Sequence, residues 1–157
     1  MLTRMGAEEI PIRWATGPED VRGAIALREQ VFCVEQGVPR AEELDGRDED
    51  ALHLIALPPD GCRVIGTLRL LLLEREAKVG RVAVERDWRG RGIASRMLEK
   101  ALAAARERGY RRVRLAAQLE AIRLYELAGF RVESEPFDDA GIPHVWMSLW
   151  LAEETQA

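Results

Sequence analysis

Two short runs carry most of the chemistry legible in this chain. Gly80-Arg81-Val82-Ala83-Val84 is followed by a polar elbow over 85–88 and then by Arg89-Gly90-Arg91-Gly92-Ile93-Ala94. Val82 and Val84 suit a strand by alternation and β-branching, whereas Ile93, Ala94, Met97, Leu98, Ala101, Leu102 and Ala105 recur at helical spacing. A helix start at that junction presents backbone N–H groups without intrahelical partners, and the macrodipole adds partial positive charge. An anion such as a phosphate can dock there on main-chain donors. Gly90 and Gly92 place no Cβ between the backbone and such an anion, and Arg89 and Arg91 add charge. A Walker-type loop would end in Gly-Lys-Ser/Thr, which is missing, and a dinucleotide fingerprint would have a third glycine where Ser95 stands.

Other reactive side chains are sparse. Cys33 and Cys62 form no Cys-x-x-Cys pair and no disulfide framework. His53 and His144 lack the paired cysteines or the His-Glu motif of a metal site, so no metal is expected. Glu42, Glu43, Asp45, Asp48, Glu49 and Asp50 surround Gly46 without calcium-loop spacing. They read as a solvated loop, or as the mouth of a site that attracts a cationic amine. Arg106, Arg108, Arg111, Arg112 and Arg114 cluster around one turn, where basic residues complement a helix C-terminus. The net charge of −4 argues against a dedicated nucleic-acid binder.

The elements that must position these residues follow from periodicity. A first strand is expected over 10–15, with Thr16 as a helix cap and Glu19 three residues on. Val21, Ala24, Ile25, Leu27, Val31 and Phe32 then form an apolar stripe with Arg28 at its margin, broken by Gly37-Val38-Pro39. Strands over 52–57 and 63–73 flank a turn at 58–61, and a strand over 77–84 feeds the glycine loop. Gly109 closes the long helix. A strand over 113–118 leads to a short helix capped by Gly129, and strands over 131–137 and 144–150 enclose a turn at 138–141. This order predicts an α/β (α+β) fold, a mixed, mostly antiparallel central sheet with helices on both faces. At 157 residues, 47% hydrophobic and 32% charged, the chain suits one globular domain over 1–157 rather than a disordered or membrane protein. The start of the chain, with Glu8, Glu9 and Pro11, has no apolar core of signal-peptide length, and the aliphatic run 70–73 is far short of a membrane span. A cytoplasmic protein without membrane partners is expected.

The two motifs together point further. Arg89-x-x-Gly92-x-Ala94 after Val82-Ala83-Val84, joined to Ala121-x-x-x-Tyr125-x-x-x-Gly129-Phe130, resembles the GCN5-related N-acetyltransferase (GNAT) superfamily. Leu27-Arg28-x-x-Val31-Phe32-x-Val34-Glu35-Gln36, Glu43-x-Asp45-Gly46-x-Asp48 with His53, Ala117-Gln118, and Gly141-Ile142-Pro143-His144-Val145-x-Met147 are similar to its ElaA-like branch. The resemblance implies an acyl-CoA N-acyltransferase fold in which two strands splay beside the glycine loop and hold acetyl-CoA, the acyl-donor co-substrate. Here those strands are 77–84 and 113–118. Val82, Ala83 and Val84 would then face the pantetheine, Arg89, Gly90, Arg91, Gly92, Ile93 and Ala94 the pyrophosphate, and Ser95 and Gln118 would complete the set.

Tyr125, which by spacing alone reads as core with Ala121, Leu124 and Ala128, matches the position whose hydroxyl faces the CoA sulfur. His144 and His53 are candidate bases, with a water chain to solvent as the alternative, and Arg28, Glu35 and His53 fall toward the acceptor side. Where the superfamily often places a glutamate on the incoming strand, this chain has Lys78. The implied activity is acetyl transfer to a primary amine of a small-molecule or peptidyl acceptor by direct attack in a ternary complex. A non-catalytic CoA-binding sensor, favoured by the missing glutamate, and an acyl-homoserine-lactone synthase, whose fold is similar, are the alternatives. A homodimer is compatible with the apolar Val145, Trp146, Leu149 and Trp150.

Overall fold

The computed structural model describes residues 10–151, so Glu8 and Glu9 lie outside the described residues. The chain begins with strand β1 (Ile12–Trp14) and helix α1 (Pro18–Arg28). Pro18 at the first helical position and Glu19 and Asp20 in the first turn favour that start. The expected Thr16 cap is not made. Gly17 is the capping residue, and the Asp20 carboxylate instead accepts the Thr16 N–H at 2.9 Å. A widened π-helical segment, Glu29–Glu35, continues α1, and a short helix α2 (Arg40–Glu43) follows.

Strands β2 (Leu52–Ala56), β3 (Gly66–Leu72) and β4 (Ala77–Val84) form an antiparallel meander. Helix α3 (Ile93–Glu107) leads to β5 (Arg112–Gln118), helix α4 (Ile122–Leu127), and the strands β6 (Arg131–Val132), β7 (Phe137–Asp139) and β8 (Ile142–Trp150). The sheet order is β1-β2-β3-β4-β5-β8-β6, with β7 also on β8, and only β4 and β5 run parallel. The mixed, mostly antiparallel sheet expected from the sequence is therefore present.

Several expected strands differ in extent: that over 10–15 spans only Ile12–Trp14, and that over 144–150 starts at Ile142. The strand expected over 63–73 spans only Gly66–Leu72, with Arg63 drawn aside to pair with Glu85 at 3.0 Å. The strand expected over 131–137 is split into β6 and β7 around Pro136, which has no N–H for a ladder, while the Ser134 hydroxyl accepts the Trp146 N–H at 2.9 Å. The final turn is tighter than 138–141: Ala140 and Gly141, with φ of 54° and 80°, make the reversal.

Side-chain parity assigns the two faces of the sheet. Leu54, Leu68, Leu70, Ala77, Val79, Val113, Leu115, Ala117, Val145 and Met147 pack with Ile93, Met97, Leu98 and Ala101 of α3 in the main core. On the opposite face, Leu27 and Val31 pack against Ala83, with Phe32 and Val64 alongside. Helices thus cover both faces. None of the described helices is long and apolar enough to cross a membrane.

Candidate active site

A break in the sheet makes the site. β4 and β5 pair only at Ala77↔Val113 and Lys78↔Arg114, after which they diverge. The 79–84 stretch of β4 has no partner on its β5 side. Further along β4 the register with β3 slips by one residue, from Arg69↔Gly80 to Thr67↔Ala83, so that Arg81 and Val82 both stand opposite Leu68. Arg81 takes up the extra residue at φ 50°, a left-handed conformation unusual outside glycine. The bulge also inverts parity. Ala77 and Val79 before it, and Val82 and Val84 after it, face the main core, while Ala83 turns to α1.

A cavity of about 460 Å³ runs through the gap. Tyr125, Ala121, Val79 and Leu115 line it from the α3 side of the sheet, and Lys78, Gln118, His144 and Trp146 line it from the α1 side. Two reactants can therefore meet from opposite faces. Tyr125 is 7% exposed and stands edge-to-face with Phe130 at 6.0 Å. Burial pushes its phenol up to about 12, which keeps the hydroxyl protonated and able to donate.

The α1 side has an aromatic wall. Phe137 stacks on Trp146 at 5.5 Å and on His144 at 6.0 Å. His144 Nδ1 lies 2.7 Å from the Ile142 carbonyl, which can only accept, so Nδ1 carries a proton and, in the neutral ring, Nε2 carries the lone pair. Lys78 Nζ lies 5.2 Å from the Trp146 ring centroid, and Arg114 lies 4.1 Å from it. Burial, and then the charges of Arg69, Arg47 and Arg81, push the Lys78 ammonium down. Gln118 Nε2 donates to Gln36 Oε1 at 2.9 Å, tying the end of β5 to the segment after α1.

The glycine loop lies at the start of α3, apart from this cavity's lining. Gly90 and Gly92 have φ of 76° and 79°, which is why glycine is needed at each. No side chain caps the helix, and its first internal bond runs from Arg96 N–H to the Gly92 carbonyl. The N–H groups of Ile93, Ala94 and Ser95 therefore precede the helical ladder, with Ser95 exposed beside them. Arg91 lies over the Trp88 ring at 4.6 Å.

Three residues expected on the acceptor side have other partners. Glu35 is not in the cavity wall. It reaches the glycine loop, where its carboxylate accepts from Arg89 at 2.8 Å while Arg89 Nε donates to the Val84 carbonyl at 2.8 Å. His53 is 3% exposed, its Nε2 donating to the Asp48 carbonyl at 2.9 Å. Arg28, expected at a helix margin, is fully buried.

Arg28 belongs to a closed ring that corrects the solvated-loop reading at Glu43, Asp45 and Asp48, while Glu42, Glu49 and Asp50 are exposed as that reading has them. Arg28 pairs with Glu43 at 2.6 Å, Glu43 with Arg81 at 3.2 Å, Arg81 with Asp45 at 3.4 Å, Asp45 with Arg69 at 2.8 Å, Arg69 with Asp48 at 3.2 Å, and Asp48 with Arg28 at 2.7 Å. Each carboxylate bridges two guanidinium groups. Hydrogen bonds from Arg69 hold the Asp45 carboxyl well below the usual range. Burial works against ionising Asp48, yet Arg28 and Arg69 hold its carboxyl down as well. Arg69 and Arg81 were not singled out from the sequence. The available signal was a charged residue inside the apolar run Leu68-Arg69-Leu70, which requires a buried partner.

The arginines near the end of α3 are largely structural too. Arg112 and Arg114 donate to Glu133 at 2.9 and 3.0 Å, and Arg108 donates to the Ala104 carbonyl. Of the apolar end of β8, Val145 is core and Leu149 packs against it, while Trp150 is 68% exposed beneath Arg112.

Comparison with known proteins agrees with this geometry. Residues 22–130 match the model of the acetyltransferase (GNAT) family. The chain belongs to the GNAT family. It is 34% identical to the uncharacterized N-acetyltransferase YjcF of Bacillus subtilis (strain 168) over 134 residues, 85% of this chain and 94% of that protein. Among solved structures, an acyl-CoA N-acyltransferase from Pseudomonas aeruginosa superposes with a TM-score of 0.79 at 29% identity, covering 89% of this chain and 99% of its own. Escherichia coli ElaA superposes at 0.78 with 25% identity, covering 88% and 98%. The GNAT acyl-CoA N-acyltransferase fold and the likeness to ElaA thus stand on both sequence and structure.

Proposed function

We propose that this GNAT protein transfers the acetyl group of acetyl-CoA to a primary amine of a small-molecule or peptidyl acceptor by direct attack in a ternary complex. The observation that carries this reading is the cavity that passes between the splayed β4 and β5 and joins Tyr125 on one face to His144 on the other. The Pseudomonas aeruginosa neighbour, described as an acyl-CoA N-acyltransferase, supports an acyl-CoA donor. In this reading, Arg89, Gly90, Arg91, Gly92, Ile93, Ala94 and Ser95 hold the pyrophosphate. The unpaired edge of β4 at Val82, Ala83 and Val84 takes the pantetheine, with Gln118 across the gap. A main-chain N–H at the Val82 bulge serves the developing oxyanion.

Proton movement falls to two side chains. A lysine-like amine has a pKa near 10.4, so only about one molecule in a few thousand is neutral at pH 7, and in this reading His144 Nε2 takes the excess proton. Tyr125 gives a proton or hydrogen bond to the departing thiolate, consistent with a phenol that burial keeps protonated. With Arg28 on Glu43, His53 on the Asp48 carbonyl and Glu35 on Arg89, their part is to hold the ion ring and to steady Arg89.

The test is calorimetric titration with acetyl-CoA and CoA, followed by thiol release over a panel of amines. Saturable binding with turnover is expected, and no binding to either ligand would overturn the reading. Lys78 in place of a glutamate favours the alternative of a CoA-binding sensor. That alternative requires binding without thiol release on every amine and an acetyl-CoA affinity indifferent to Tyr125→Phe.

A further inference from the structure

Lys78 points to the kind of acceptor. Its ammonium is half-buried in the cavity wall against the Trp146 ring, and among the described residues no carboxylate pairs with it. A buried charge normally has a partner. Three of the carboxylates that the sequence offers to a cationic acceptor are taken by the ion ring. Glu43, Asp45 and Asp48 are each shared between two arginines of the closed ring. Glu43 and Asp45 line the cavity, and the two other carboxylates that do, Glu42 and Asp139, are exposed. Around Nζ the nearby charges are chiefly positive, Arg69, Arg47 and Arg81 against Asp45, and all four residues line the same cavity. The ring carboxylates balance Arg69 and Arg81, which leaves Lys78 and Arg47 as the cations there without a carboxylate among the described residues; a negative group would gain from these two, whereas a second positive group would be repelled.

We infer that the acceptor amine also carries an oxyanion, a carboxylate or its phosphonate equivalent, and that Lys78 on the Trp146 wall is the residue that receives it. This rests on the acetyltransferase reading above and narrows its substrate class. The acceptor enters from the α1 side of the sheet, its amine directed to the gap beside Val82 and its anion held back by Lys78. Arg69 and Arg81 remain with their carboxylates.

The experiment compares matched acceptors of graded chain length with acetyl-CoA: ω-amino acids, ω-aminoalkyl phosphonates, n-alkylamines and α,ω-diamines. Thiol release is expected to show kcat/KM at least about tenfold higher for an anionic arm than for the alkylamine of the same length, with the diamine lowest. Lys78→Met should reduce that ratio to within about twofold of unity, Lys78→Arg should retain most of it, and Lys78→Glu should favour the diamine. A wild-type preference for diamines or alkylamines, or an anion preference that survives Lys78→Met, overturns the inference. Turnover without preference overturns it alone, whereas no turnover on any arm overturns the acetyltransferase reading with it. The wild-type comparison decides the matter even if a variant fails to fold.

Discussion

In the proposed reaction Tyr125 and His144 divide two proton tasks between opposite faces of one sheet, so their variants should fail differently. Tyr125→Phe keeps the ring that packs against Phe130 and removes only the hydroxyl. It is expected to lower kcat by about 10²-fold, the usual scale for a positioned acid, with acetyl-CoA affinity within about twofold by calorimetry. His144→Gln removes the lone pair on Nε2 that the bond from Nδ1 to Ile142 leaves available. Its rate deficit should be largest near pH 7 and shrink toward pH 9, because a growing share of the acceptor amine is then already neutral. A deficit unchanged across that range would show that His144 does not serve as the base.

At the scale of elements, the position of the glycine loop depends on how α3 sits on the sheet. Gly66 of β3 is in tight contact there: an added Cβ would come within 3.0 Å of Ala56 Cβ and 3.1 Å of Ile93 Cγ2. Gly66→Ala should therefore push the first residue of α3 from its seat, costing about 1–3 kcal/mol in urea unfolding and weakening acetyl-CoA binding. The ion ring ties α1, the 43–48 segment, β3 and β4 to one another. Arg28→Met would leave Glu43 and Asp48 undercompensated and should cost about 3–5 kcal/mol, against about 0–1 kcal/mol for Arg13→Ala in the exposed Arg13–Asp20 pair. Comparable losses for the two variants would mean that the ring contributes little.

How much the sequence discloses divides along the same lines. Elements with clean periodicity, such as α3 and β5, were legible because one face of each packs on a continuous core. The glycine loop was legible because backbone geometry restricts the residue type. The ring was not. Its members, among them Arg28, Glu43 and Arg81, are joined by tertiary pairing, which leaves no local period, and the acidic run looked like solvent-facing loop. Lys78 was visible as a departure from a motif, but its isolation from carboxylates could emerge only once the arginines had taken them.

For the molecule as a whole, the ring sets an acid limit. Asp45 and Asp48 have folded-state pKa values below their unfolded ones. Their contribution is therefore fully present above the unfolded value of about 3.9, and it is lost as pH falls through the folded values. Thermal midpoints should hold from pH 7 to about 5 and drop steeply below about 4, and Asp45→Asn should flatten that drop. The seam between β4 and β5 has a different consequence. The sheet's halves are joined there by two register pairs, Ala77↔Val113 and Lys78↔Arg114, so those amides of 79–84 and 115–118 that face the gap, rather than β3 or β8, should exchange with deuterium faster than those of the β2–β3 ladder. A donor lying in the gap would act as a missing rung, and slowed exchange on both banks at once would record the sheet being closed by its own substrate.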